Sequence, residues 1–472
     1  MRSFVIPTSL LTFALLLRLP FLNLWPSYVY DEGVVIEAGL ALHKGIFGLF
    51  AYHPLISGFG GLSLSYLVTS FTTAPYIQRV PYAIIGGFCS LVVYYIFKSY
   101  NSKLAILSSI FLSVSPIIYI NRTSEPVTAT ELFFLLPILF YTRYRTNGKN
   151  KYWILAGVCG GLGFLFDYVG VVSFFFLLFQ VLIDRRKPLW KSMVMLAINL
   201  LVAFTFLTEI FIVGYSNFTA EFLRYGSSSS ISVAVFNFIL GYPSGQLSPP
   251  IYIDLTRLFM LLGFFVTTLY ATWNLGKAFL ISALISTFIV FYLGSGLFNW
   301  IFFAILIPLY CIGIADLVLF LASKKVTIPL RLVGMLTMMI LVITLIFYYG
   351  GNVGNTNTGF DCAVSYLTAH PAMTAAIPYL ADQLPQGYNY AEVLFYNHPY
   401  NYHEWYVGMQ SLSTVNLSLS RFTYFVMDNI LSTIALDQWI SYHSTSINDT
   451  LTTIRSNWSL VEACGQYLIY KQ

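Results

Sequence analysis

The chain has 472 residues, of which 57% are hydrophobic, 18% aromatic and only 9% charged. Soluble domains carry about 25% charged residues, so the composition excludes an ordinary water-facing surface. The net charge of +5 is scattered over short loops rather than gathered on one stripe, which excludes a nucleic-acid partner. An all-α polytopic membrane protein is expected, with about eleven transmembrane helices and a small α/β domain after them.

Apolar runs place the crossing helices at 4–22, 80–97, 104–120, 126–142, 152–166, 169–183, 192–213, 256–272, 278–296, 299–321 and 332–349. The first run has no small-residue cleavage site and reads as a span rather than a leader. Several runs are short for a full crossing, as suits helices buried in a bundle. Charge then divides the chain. Residues 1–350 hold 21 Lys and Arg against 11 Asp and Glu, whereas residues 351–472 hold 3 against 8. The expected domains are therefore a membrane part, 1–350, and a second domain, 351–472.

With Met1 in the cytoplasm, the inner loops collect Arg2, Lys98, Lys103, Arg143, Arg145, Lys149, Lys151, Arg185, Arg186, Lys187, Lys191, Lys277, Lys324, Lys325 and Arg331. Their acidic residue is Asp184. The outer loops hold Asp31, Glu32, Glu37, Glu125, Asp167, Glu221 and Asp254. This is the positive-inside pattern of a multi-pass cell-membrane protein. An odd number of spans places residues 351–472 on the extracytoplasmic side.

Two outer loops are long, 23–78 and 214–255, and loops of that length are usually functional. The first contains Gly33–Phe50, an apolar stretch suited to an interfacial amphipathic helix. The second contains Gly226–Ser230, which suits either a moving lid or a spacer. The sequons at Asn217, Asn416, Asn448 and Asn457 all fall outside and are candidate N-glycosylation sites. Asn121 sits in a very short loop and is a poor acceptor. In the tail, Ala372–Leu384 reads as a helix and Leu417–Met427 as a strand. Cys362 and Cys464 are either a disulfide pair or two free thiols. Cys89, Cys159 and Cys311 read as packing residues within the membrane.

The residues that can carry chemistry lie on the outer side. Asp31 and Glu32 are adjacent carboxylates that repel each other, so one takes a proton or finds a cation. They suit a general base or part of a metal site, and equally an N-terminal helix cap. His53 can bind a metal, phosphate or hydroxyl, or simply be solvated. Arg79 stands where the chain re-enters the membrane and suits phosphate binding or snorkelling. Arg122 and Glu125, three apart in a tight hairpin, can pair with each other or face a substrate. Glu131 is one to two turns further in, at a depth where an ionisable group is a functional hypothesis by default. Asp167 and Glu209 share that outer layer. An acidic outer cavity with a few arginines suits a reaction on a lipid-anchored phosphate. A divalent metal held by Asp31, Glu32, His53 and Asp167 is one form such a site can take.

The ordered set Leu16-Leu17-Arg18-Leu19-Pro20-Phe21-Leu22, Tyr30-Asp31-Glu32, His53-Pro54-Leu55, Arg79-Val80-Pro81, Ser115-Pro116, Arg122 and Glu125 resembles the GT-C glycosyltransferases. More narrowly it is similar to the branch with the protein O-mannosyltransferases and the lipid A aminoarabinose transferase. Gly157–Gly170 is similar to that branch's glycine-rich fifth span and following turn, and Ile307-Pro308 fits it as well. The resemblance covers about the first 330 residues. It implies an inverting glycosyltransferase that takes a monosaccharide from a polyprenyl-phosphate donor, such as a dolichyl-phosphate mannose. The acceptor would be a hydroxyl of a glycan, protein or lipid at the outer membrane face. By the same resemblance Asp31 is the base, Glu32 and His53 orient the substrates, and Arg79 and Arg122 stabilise the leaving phosphate. Two positions depart from the branch. Asp167 stands where a Lys is common, and Asn299-Trp300 where an Arg-Tyr pair is expected. The oligosaccharyltransferase signature Trp-Trp-Asp-Tyr-Gly is absent, which argues against en bloc glycan transfer.

Two other classes fit the composition. A transporter or flippase would use Glu131 and Glu209 as proton relays, yet no internal repeat is visible and the acids lie at one surface. A non-catalytic GT-C scaffold would have no need of the Asp31–Glu32 pair.

Overall fold

The computed structural model describes residues 2–23, single positions between 32 and 43, 59–115, 117–124, 126–183, 189–205, 235, 238, 259, 261–269, 278–294, 303–322, 359–372, 374–376, 390–394, 404–407, 410–411, 422–428 and 452–472. The expected span 332–349 and most of the loop 214–255 lie outside them.

The described residues before Phe360 are mainly helical. Helix α1 is Arg2–Arg18, α2 is Phe59–Thr69, α3 is Pro75–Phe97, α4 is Ser102–Val114, and α5 is the single turn Ile118–Asn121. There follow α6, Val127–Asn147, and α7, Asn150–Phe166. A 3-10 turn, Tyr168–Val171, leads into α8, Val172–Ile183. Helices α9, Leu189–Phe204, α10, Ala278–Gly294, and α11, Phe303–Leu321, complete this part, with residues 261–269 also helical.

Local chemistry sets the ends. Pro75 opens α3, where its missing N–H has no helical partner to lose. Asn101 caps α4, its Oδ1 accepting the Lys103 and Leu104 N–H groups at 3.0 and 3.2 Å. Gly148 closes α6 at φ +68°, in the left-handed region that favours glycine. The expected continuous span 104–120 is interrupted at Ser115, which is extended with ψ 165°. A residue preceding proline is driven out of the helical region. The loop 23–78 also contains a helix that the sequence reading passed over, α2. Ser65 of α2 donates to the Val35 carbonyl at 2.7 Å, and His43 stacks on Tyr66.

Among the described residues, two helices, Pro75–Phe97 and Ala304–Leu321, are long and apolar enough to cross a membrane, with five shorter apolar helices beside them. The expected count of eleven spans is not reached among these residues. The bundle core joins α3, α4, α6, α8, α10 and α11 through residues such as Val93, Leu112, Phe134, Phe176, Phe291 and Tyr310. Helix α7 meets α9 across glycine: a side chain at Gly157, Gly160 or Gly161 would strike Met195, Asn199 or Val202 of α9. Close backbone approach over small residues is how helices pack where no water drives them together.

One end of the bundle is basic. Arg143 donates to the Tyr95 carbonyl at 3.2 Å and Lys191 to Asn150 Oδ1 at 2.9 Å. Lys98 lies over the Tyr94 and Tyr95 rings. This end joins α3 to α4 and α6 to α7. The opposite end holds the buried polar residues described below.

From Phe360 on, helix α12, Phe360–Ala369, packs on a mixed sheet. Its strands are β1 Thr374–Ala376, β2 Tyr390–Leu394, β3 Glu404–Val407, β4 Gln410–Ser411, β5 Tyr424–Asp428, β6 Ser459–Cys464 and β7 Tyr467–Lys471. They lie in the order β4-β3-β2-β1-β5-β7-β6, with β1 parallel to β2 and to β5. The reading of Ala372–Leu384 as a helix is corrected at Thr374–Ala376, which form the central strand. Thr374 is fully buried, and hydrogen bonding on both sides outweighs local helix propensity. Ala363, Leu367, Tyr424, Val426, Tyr467 and Ile469 make the core of this region. Cys362 and Cys464 form a disulfide that ties α12 to β6.

Candidate functional site

The end of the bundle opposite the basic end gathers the C-terminus of α1, the N-termini of α3 and α6, the turn after α5 and the C-terminus of α7. There the chain buries Arg18, Glu32, Arg79, Asn121, Arg122, Ser124, Glu131 and Asp167. Charges removed from water survive only when paired and hydrogen-bonded, and most of these side chains are bonded to one another.

Arg79, on the first turns of α3, faces Glu32 in a two-pronged ion pair. Its Nε donates to Oε1 at 2.7 Å and its Nη2 to Oε2 at 2.6 Å, with both side chains fully buried. Arg79 Nη1 also donates to the Leu22 carbonyl at 2.8 Å. Glu32 Oε1 accepts the Ser124 N–H at 2.9 Å and its hydroxyl at 3.3 Å. The segment after α1, the start of α3 and the hairpin after α5 therefore meet on one carboxylate.

The hairpin is pinned from its other side. Arg122 Nη1 donates to the Leu17 and Arg18 carbonyls at 3.2 and 3.0 Å, and Nη2 to the Pro20 carbonyl at 2.6 Å. Arg18 turns back through the bundle. Its Nε donates to Asn121 Oδ1 at 3.0 Å and its Nη1 to the Ser113 carbonyl at 3.2 Å. Asn121 Nδ2 donates to Glu131 Oε2 at 3.0 Å. Gly86 of α3 faces Asn121 so closely that a methyl group there would collide with the amide. This burial explains why the Asn121 sequon is a poor acceptor, whereas Asn457 is exposed.

Asp167 is held differently. It ends α7, and its Oδ1 accepts the Val169 N–H at 2.9 Å, capping the 3-10 turn. Burial pushes its carboxyl up to about 6, a rise that the Val169 hydrogen bond partly offsets.

Of the residues singled out in the sequence, Glu32, Arg79 and Arg122 are brought together, and Asp167 is placed at the same end of the bundle. Asp31, His53 and Glu125 lie outside the described residues, as do Asn217, Asn416 and Asn448. Glu32, with both oxygens against a guanidinium, is a poor metal ligand. Among the described residues, Cys362, Glu462 and Cys464 cluster as metal ligands do, but their sulfurs are spent in the disulfide. Sequence reasoning gave no role to Arg18, Asn121 or Ser124. Arg18 did carry a signal, as an ionisable residue inside an apolar run. Nothing local marks Asn121 or Ser124, whose partners are distant in sequence.

Residues 62–211 match the family model described as dolichyl-phosphate-mannose-protein mannosyltransferase. That segment includes Arg79, Asn121, Arg122, Ser124, Glu131 and Asp167. No curated protein matches the sequence. Among solved structures, the fold is similar to the oligosaccharyltransferase of Archaeoglobus fulgidus in its apo form. The TM-score is 0.50 and the identity 13%, over 77% of this chain and 58% of that one. The same figures hold for the archaeal oligosaccharyltransferase AglB from Archaeoglobus fulgidus in complex with an inhibitory peptide and a dolichol-phosphate. The chain thus covers less than two thirds of the length of these structures. By these matches the chain shares the fold of the archaeal oligosaccharyltransferases, and its residues 62–211 are similar to the dolichyl-phosphate-mannose-protein mannosyltransferases.

Proposed function

We propose that the protein is an inverting glycosyltransferase that moves a monosaccharide from a polyprenyl-phosphate carrier to an acceptor hydroxyl at the outer membrane face. The observation that carries this reading is the clamp on Glu32. Asp31 is its neighbour in the chain, and Cα atoms across one peptide bond are about 3.8 Å apart. Arg79 and Ser124 fix Glu32, the residue next to Asp31 in the sequence.

In this reading the Asp31 carboxylate takes the proton of the acceptor hydroxyl. The acceptor oxygen then attacks the anomeric carbon from the face opposite the phosphate. The bond from that carbon to the phosphate oxygen breaks, and polyprenyl phosphate leaves with the electron pair. The anomeric centre inverts, as in the inverting glycosidases with a hydroxyl in place of water. Glu32 and Arg79 act as a positioning pair. Arg122 adds positive charge near the departing phosphate. His53, Glu125 and Asp167 belong to the substrate-facing surface. Residues 351–472 form an extracytoplasmic domain.

The test is release of polyprenyl phosphate from polyprenyl-phosphate sugars by the purified full chain, with a cell-envelope acceptor. Wild type should release it and Asp31→Asn should not, at equal size-exclusion behaviour. Equal activity of the two would remove Asp31 from the role of base. No release from any donor, with or without divalent metal, would favour transport or a scaffold.

A further inference from the structure

Glu131 is fully buried and takes no part in the transfer step above. Its surroundings are specific. Oε2 accepts from Asn121 Nδ2 at 3.0 Å, and the Cys89 thiol lies against the same carboxyl. Asn121 has its other amide atom, Oδ1, on Arg18 Nε at 3.0 Å. The amide is thereby oriented at both ends: oxygen toward a cation, nitrogen toward a carboxyl. An amide turned the other way would set N–H against N–H and oxygen against oxygen. Asn121 also begins the run whose next members grip the site. Arg122 holds the Leu17, Arg18 and Pro20 carbonyls, and Ser124 holds Glu32.

We propose that Glu131 is a positioning residue of this site, fixing the hairpin 121–124 through the Asn121 amide and so the position of the Glu32 carboxylate. This rests on the glycosyl-transfer reading. The path from Glu131 to Glu32 runs through one hydrogen bond, four residues of hairpin and a second hydrogen bond. A displacement of about 1 Å at a reacting group can lower a rate about 100-fold. Glu131 acts here as an acceptor and not as a proton carrier, because Asn121 offers it an N–H and needs only an oxygen in return.

That distinction sets the experiment. Glu131→Gln keeps a carbonyl for Asn121 Nδ2, whereas Glu131→Leu keeps the size and removes the acceptor. Asn121→Leu breaks the same bond from the other side. With the full chain in detergent, both Leu variants should lower kcat about 10- to 100-fold with the donor KM changed less than about twofold. Glu131→Gln should stay within about threefold of wild type with the same pH profile. Hydrogen exchange of the amides in 117–124 should quicken in the Leu variants and not in Glu131→Gln.

If Glu131→Gln falls as far as Glu131→Leu, the carboxyl itself is needed and the positioning role is wrong. If the Leu variants raise KM and spare kcat, or leave exchange at 117–124 unchanged, the path through Asn121 transmits nothing. Should wild type transfer no sugar from any donor, the transferase reading fails on its own. The exchange data then still decide whether Glu131 holds the hairpin.

Discussion

Arg79 grips Glu32 with two guanidinium nitrogens at 2.7 and 2.6 Å, although the residues are 47 apart in sequence and both are fully buried. Removing one partner of such a pair leaves an uncompensated buried charge, which costs about 3–5 kcal/mol. Arg79→Gln should lower the thermal unfolding midpoint in detergent accordingly. Replacing both, as Arg79→Met with Glu32→Met, should recover most of that stability and none of the transfer activity. Equal losses in the single and double variants would show that the pair is not the source.

Arg122 spans three carbonyls, those of Leu17, Arg18 and Pro20. A lysine carries a point charge on a flexible stem and cannot hold this fan. Arg122→Lys should therefore destabilise the chain by about 1–3 kcal/mol and slow sugar release at least about tenfold. Unfolding curves and initial rates on the same preparation measure both.

Asp167 predicts a pH effect with a definite sign. Its carboxyl is raised from 3.8 to about 6 in the folded chain, chiefly by burial. The folded state thus binds the proton more tightly than the unfolded state. The stability this contributes is complete below about pH 4 and lost as pH rises through 6, on the order of 2–3 kcal/mol. Asp167→Asn should abolish this slope between pH 4 and 7, seen by comparing unfolding midpoints of variant and wild type across that range.

The disulfide between Cys362 and Cys464 closes a span of 102 residues. Chain-entropy estimates for a loop of that size give about 4–5 kcal/mol. Cys464→Ala should make the region from Phe360 onward sensitive to limited proteolysis while leaving the bundle intact. Non-reducing gels after thiol labelling should show Cys362 newly reactive.

Asn457 is exposed, whereas Asn121 is buried with both amide atoms bonded. Expression in a host that glycosylates on the extracytoplasmic side should add glycan at Asn457 and leave Asn121 bare, as read by mass spectrometry of tryptic peptides. Modification at Asn121 would mean that the hairpin opens before the bundle closes.

Composition alone pointed to a membrane protein, because 9% charged residues cannot cover a water-facing surface. The sequence reading placed α3, α4 and α6 at 80–97, 104–120 and 126–142, and so missed by several residues the ends that Pro75, Asn101 and Gly148 set. Pro75, Asn101 and Gly148 act through their own backbone or the adjacent turn, and that information is local. The layer of buried ionisable residues was legible, since charges in apolar runs stand out. Which of them meet was not. Arg18 and Asn121 are 103 residues apart, Arg122 and Pro20 are 102 apart, and Glu32 bonds Ser124 across 92. Such pairings come into being only when α1, α3 and the hairpin after α5 pack against one another. The strand Thr374–Ala376 makes the same point, since its helix-like composition yields to ladders on both sides. Tertiary structure decided the partners, because burial makes each unpaired polar group expensive and leaves only arrangements in which the distant donors and acceptors coincide.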